Sequence, residues 1–347
     1  MDLTLSQTGT LPREAGEAAP ASRITHLDTL RGLAIIVVVG IHAFGYAGRL
    51  PSDQQAHAEM LWNGVSTFAV PAFFLCDGYL FARAQARGDH GYLETLARSA
   101  RRLLVPWVTF TVIYTIARGA GEMAGLLGDR LVLGRQPGEI AREWWDSQIA
   151  MQLYFLPSLF LIRCLSPALR PLATGRRWGL LVATSLCYAA YASAGIPLGA
   201  DPVTNAASGL RFYLLGMLAY RYREPLSRAA GPILVVAFGA MLALCSYRSR
   251  YWVGAAYQLA YLTAVHAAAV WMGDRARLLP MSGRRTMGIY LLHGPVLLKA
   301  VSLVVSHLIG PWPVRFLGIW AATFLIALAA TVLVSRHAWG RSLLGES

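Results

Sequence analysis

The chain has 347 residues, of which 56% are hydrophobic and 14% charged, and its mean hydropathy is positive. Soluble domains carry about a quarter charged residues, so this balance excludes one and predicts a polytopic membrane protein. The net charge of +13 does not indicate nucleic acid, because the basic residues form short clusters between apolar runs instead of lining one face.

Residues 1–25 are polar, without the basic start, apolar middle and cleavage site of a signal peptide, and read as a disordered cytoplasmic tail. The first apolar run, Asp28 to Gly48, is long enough to enter a bilayer, yet it holds Arg31 and His42. Eleven residues make about three turns, so the two side chains share one helix face about 16 Å apart. A second run, about Leu61 to Phe81, contains VPAFFLCDGYLF with Asp77. A basic loop, Arg83 to Arg102, carries RSARR and leads into a third span, about Leu103 to Ala117. Residues 118–148 are polar, with a surface helix expected near Trp144 and Trp145.

The fourth span, QLYFLPSLFLIRCL, runs from about Ile149 to Leu165 and the fifth from about Trp178 to Ala194. The sixth, about Asn205 to Tyr220, contains Arg211, and the seventh runs from about Ala229 to Ser246. The eighth, about Trp252 to Met272, has His266, and the ninth, about Met287 to Leu308, has His293 and Lys299. The tenth covers about Phe316 to Val334, leaving residues 337–347 as a short cytoplasmic tail. The expected fold is an all-α transmembrane bundle of about ten spans. Arginines concentrate in the loops after the even-numbered spans, which places both termini in the cytoplasm. Cys76, Cys164, Cys187 and Cys245 form no close pair and no metal-ligand spacing, so free thiols and no metal are expected.

Ionisable residues inside a membrane are costly and point to function. Arg31, His42, Asp77, Arg211, His266, His293 and Lys299 are the inward-facing candidates. An imidazole at mid-depth can serve as general base, though a snorkelling arginine or a hydrogen-bonded core histidine accounts equally well for either residue of the first span alone. Asp77 can pair with an arginine, which would make it structural. Arg98 and Arg101, at i and i+3, can clamp a phosphate if their segment is helical, although basic loop residues usually act as topology signals. No Walker loop, dinucleotide-binding glycine pattern or nucleophile elbow is present.

LDTLRGLAIIVVVGIHAF, PAFFLCDGYL, RSARRLLVPW, LYFLPSLFLI and MGIYLLHGPV resemble, in that order, the successive motifs of the integral-membrane acyltransferase 3 family, the O-acetylases of bacterial surface glycans. The resemblance spans residues 26–336. It implies a bundle of helices at the bacterial inner membrane that uses acyl-CoA, usually acetyl-CoA, as donor substrate to acylate a hydroxyl of a carbohydrate, with no bound cofactor. By matching position it implies His42 and Arg31 as the catalytic pair and Arg98, Arg101 and Arg102 as acyl-CoA-binding residues, with Asp28, Asp77, Gln152, Arg211 and His293 as supporting or acceptor-site residues. Two positions depart from the family pattern. Asp77-Gly78 stands where Ser-Gly is usual, and Gln152 stands where a His often precedes Trp-Phe-Leu, which bears on acceptor identity. The rival reading is a transporter with the buried charges as a proton or substrate relay.

Overall fold

The computed structural model describes residues 24–345 apart from 49, 89–90, 128–129, 195–200, 249–250 and 276–277. The tail expected over residues 1–25 therefore lies almost wholly outside the described residues. The helices are α1 (Thr25–Tyr46), α2 (Ser52–Ser66), α3 (Ala69–Ala86), α4 (Tyr92–Met123), α5 (Pro137–Trp145), α6 (Phe155–Cys164), α7 (Ser166–Thr174), α8 (Arg177–Ala194) and α9 (Pro202–Arg221). They continue as α10 (Arg223–Arg228), α11 (Ala230–Cys245), α12 (Tyr251–Met272), α13 (Leu278–Arg284), α14 (Thr286–Leu292), α15 (Pro295–Leu308), α16 (Trp312–Val334) and α17 (Ala338–Leu343). No strand occurs among the described residues, and the protein is an all-α polytopic bundle.

Every apolar run read from the sequence is helical, but the helices do not all cross singly. Five stretches are long and apolar enough to span a membrane: α1, Gln54–Ala86, α4, Trp252–Met272 and α16. Two bent pairs bring the number to seven if each makes one span: Met151–Cys164 with α7, bent by 67°, and α14 with α15, bent by 68°. The first bend falls where the sequence reading ends its fourth span, at Leu165, whereas the second lies inside the run read as a single ninth span. Each has a proline in the first turn of its second half, Pro167 in α7 and Pro295 in α15. Proline has no N–H to continue the preceding helix and its fixed φ suits a helix start, so the chain turns there.

A second difference concerns the basic loop. α4 begins at Tyr92 and continues through Pro106 to Met123, so RSARR belongs to its first turns and not to a loop. The surface helix near Trp144 is α5, started by Pro137 and a capping box in which Gln136 and Glu139 exchange hydrogen bonds. The four cysteines are free. Within the tail expected over residues 337–347, Ala338–Leu343 form α17, which meets α4, and Leu344 is fully buried.

α1 is the central element and touches α3, α12, α13, α14, α15 and α16. Its Leu27, Leu30, Ala34, Ile35 and Val39 are fully or almost fully buried. Small residues let neighbouring backbones approach, as membrane bundles favour. A Cβ on Gly283 of α13 would strike the backbone of Asp28, and one on Gly78 of α3 would strike the backbone of Tyr213 in α9. These two approaches place Arg284 beside Asp28 and fix α3, with Asp77, against the core.

Candidate active site

At the end of the bundle where α1 starts, helices converge on a cavity of about 600 Å3. Asp28 and Arg31 come from α1, Asp77 and Arg83 from α3, Arg98 and Arg102 from α4, Arg163 from α6 and Arg284 from α13. Six arginines against two aspartates give the cavity a positive excess. Deeper in, its wall is apolar and aromatic, with Phe155, Leu156, Leu159 and Tyr290.

Both aspartates are engaged. Asp77 receives a bidentate pair from Arg163, Nε to Oδ2 at 2.7 Å and Nη2 to Oδ1 at 2.5 Å. This is the arginine partner that Asp77 invited, and it ties α3 to α6. Asp28 Oδ1 stands 3.9 Å from Arg31 Nη1 one turn along α1. Arg98 Nη2 meets Glu94 Oε1 at 2.8 Å, one turn back along α4, both side chains being exposed.

The helical start of α4 changes which basic residues act together. All three arginines are exposed, but Arg98 and Arg102, at i and i+4, line the cavity and Arg101 does not. The segment is helical, as the i, i+3 clamp required, and of the three arginines named from the sequence it is Arg98 and Arg102, an i, i+4 pair, that line the cavity.

Deeper along α1, His42 meets His293 with ring centroids 5.3 Å apart and planes tilted by 43°. His293 is fully buried at the junction of α14 and α15, while His42 is half-buried. The His293 Nδ1 lies 3.1 Å from the Ile289 carbonyl oxygen. Neither imidazole lines the cavity; Tyr290 stands between. It lines the cavity, its ring centroid is 6.1 Å from that of His293, and its hydroxyl donates to the Gln152 carbonyl oxygen. Tyr114 of α4 closes the other side, donating to the Leu291 carbonyl oxygen at 2.5 Å. Gln152 is 5% exposed and belongs to this inner cluster.

The remaining candidates lie elsewhere. Arg211 is 1% exposed and packs over the Tyr191 ring at 3.2 Å, donating to Ser208 and to Gln258 Oε1. It joins α8, α9 and α12 and does not line the cavity. His266 pairs with His26 at 5.7 Å, and Lys299, expected to face inward, is exposed on α15. Arg163, Arg284 and Tyr290 were not singled out by sequence. The only signals for them were an arginine ending the apolar run of α6, a Gly-Arg step, and a tyrosine three residues before His293.

The fold is that of a multi-pass membrane protein, with a basic cavity at one end and the His42–His293 pair further along α1. The acyltransferase 3 family model, described as an acyltransferase domain, matches residues 24–335. The chain belongs to this family and is a membrane acyltransferase. No curated protein and no solved structure matches it. The family assignment given by the motifs in the sequence is the one the family model supports.

Proposed function

We propose that the protein transfers an acyl group, acetyl in the simplest case, from acyl-CoA to a hydroxyl of a membrane-associated or exported carbohydrate at the bacterial inner membrane. The observation that carries this reading is the convergence of six arginines from five helices on one cavity whose inner wall is a tyrosine packed on the His293 ring. Guanidinium groups bind phosphates through planar paired donors, and CoA is a phosphate-rich donor with a long arm. Arg31, Arg98 and Arg102 hold its nucleotide; Arg101 contributes to the field at the rim. The positive-inside distribution of arginines puts this mouth in the cytoplasm, where acyl-CoA is found.

In this reading the arm passes Tyr290 toward His42. His42 takes the proton of the acceptor hydroxyl as its oxygen attacks the thioester carbonyl carbon. The C–S bond then breaks, and the thiolate of CoA recovers that proton from His42. His293, held through Nδ1 by the Ile289 carbonyl, offers its Nε2 to the imidazolium that forms on His42, as the third group of a triad steadies its base. Asp28 orients Arg31, and the Asp77–Arg163 pair holds the cavity wall.

The test uses the full chain in lipid nanodiscs with radiolabelled acetyl-CoA and the glycan-bearing membrane fraction of the producing cells. Wild-type protein should label the glycan fraction, and His42→Ala should not, while remaining inserted and folded. Wild-type labelling by His42→Ala would remove the mechanism. Absence of any covalent acetyl transfer by the wild type would favour the transporter reading, which draws on the same broken helices.

A further inference from the structure

Beside the imidazole pair, the break between α14 and α15 leaves two buried polar atoms without hydrogen-bond partners among the described residues, His293 Nε2 and Gln152 Nε2. Their chemistry is opposite. His293 Nδ1 faces a carbonyl oxygen, which can only accept, so that nitrogen carries the ring hydrogen and Nε2 of the neutral ring bears a lone pair. Gln152 Nε2 is an amide nitrogen with two hydrogens to give.

The Tyr290 hydroxyl donates to the main-chain carbonyl oxygen of Gln152 and so fixes the backbone from which this amide extends. A Cβ on Gly294 would run into both the Gln152 amide nitrogen and the Tyr114 hydroxyl, so only glycine lets the amide lie against the backbone next to His293. Buried donors in folded proteins are almost always paired, and one that is not calls for an account. Acyl transfer supplies one. The thioester oxygen gathers negative charge as the carbonyl carbon becomes tetrahedral, and a fixed donor in a dry site stabilises that charge strongly. The arginines of the cavity are badly placed for the task, since Arg31 sits about 16 Å back along α1 from His42.

We propose that Gln152 is a catalytic residue whose side-chain amide donates to the thioester oxygen as transfer proceeds, a role that rests on acyl transfer at His42. In the step, the acceptor oxygen bonds to the carbonyl carbon and its proton moves to His42. The carbonyl π pair moves onto the oxygen held by Gln152. Collapse returns that pair, breaks the C–S bond and releases the thiolate, which takes the proton from His42.

The experiment measures CoA thiol release from acetyl-CoA in the presence of the glycan-bearing membrane fraction, with the full chain in nanodiscs. Gln152→Met keeps the shape and removes the donor; its kcat should fall about a hundredfold or more, with half-saturating acetyl-CoA within about twofold of wild type. Gln152→His restores an N–H and should retain kcat within about tenfold of wild type. Wild-type kcat in Gln152→Met overturns the proposal, as does a loss expressed wholly as weaker acetyl-CoA binding. If Gln152→Met does not fold, Gln152→His decides: a folded but inactive protein overturns the donor role, and retained activity supports it. Wild-type transfer by His42→Ala would instead defeat the underlying acyl-transfer reading, whatever Gln152 does.

Discussion

The Asp77–Arg163 pair allows a quantitative test of how the cavity wall is held. The two side chains meet through two charge-assisted hydrogen bonds at 2.7 and 2.5 Å, with side-chain exposures of 14% for Asp77 and 18% for Arg163. Removing either partner leaves the other charge largely desolvated, which typically costs 3–5 kcal/mol in a buried pair; because one side faces a polar cavity, the lower end, about 3 kcal/mol, applies to Asp77→Ala and to Arg163→Ala alike. The double variant leaves no orphaned charge. It should therefore cost about as much as one single, giving a coupling of about 3 kcal/mol, roughly a 150-fold effect on the unfolding equilibrium. Sodium dodecyl sulfate titration of the purified protein in mixed micelles, followed by tryptophan fluorescence, measures all four corners of the cycle. Single costs that simply add to within about 0.5 kcal/mol would show the pair to be uncoupled and refute this account of the wall.

Other outcomes follow from the same geometry. Arg98→Ala combined with Arg102→Ala should weaken acetyl-CoA binding about tenfold or more, whereas Arg101→Ala should change it less than about threefold, measured by equilibrium dialysis. Gly283→Val pushes a side chain into the Asp28 backbone and should destabilise by at least about 1–3 kcal/mol in the same titration, through overpacking between α1 and α13. At the start of α9, Asp201 accepts from the Val203 and Thr204 amides and from the Thr204 hydroxyl. These bonds, the hydroxyl first, hold its carboxyl below the usual range. The cap's contribution is thus full above the ordinary aspartate pKa and is lost as pH falls through the lowered one. Asp201→Ala should remove about 1 kcal/mol at neutral pH and nothing once the wild-type carboxyl is protonated, as read from thermal melts across pH.

How far the sequence carried the structure depended on whether a property was local. The register of Arg31 and His42 followed from helical period alone, because α1 is continuous from Thr25 to Tyr46. The apolar runs were legible for the same reason, since a bilayer-buried backbone must satisfy itself as helix. What failed was continuity. Hydropathy treats the ninth run as one span although it contains Gly294-Pro295, and the contacts of Tyr114, Gln152 and Tyr290 around that junction come from segments distant in sequence. The start of α4 failed in the opposite direction: a charged segment scores as loop by hydropathy, although its Glu94–Arg98 spacing suits helix. Helical spacing allowed either Arg101 or Arg102 to share a face with Arg98, and only the packing of α4 shows that it is Arg102 that lines the cavity.

The two halves of the site also differ in why they were hard to see. Arg163 and Arg284 reach the cavity from helices distant in sequence, and no local pattern brings them to Asp77 and Asp28. The inner cluster is harder still, because it joins side chains from α1, α4, the segment before α6 and the α14–α15 junction. The backbone at the break is satisfied, the His293 N–H bonding to Ile289 and the Gly294 carbonyl accepting from Leu298, so what is left over there is side-chain chemistry. Where α14 stops at Leu292 and α15 restarts at Pro295, His293 Nε2 and Gln152 Nε2 are both buried without a hydrogen-bond partner among the described residues. A lone pair and an amide donor have the complementary character that the proposed acyl transfer would use, and it is this pairing of opposite groups at one break that the Gln152 variants test.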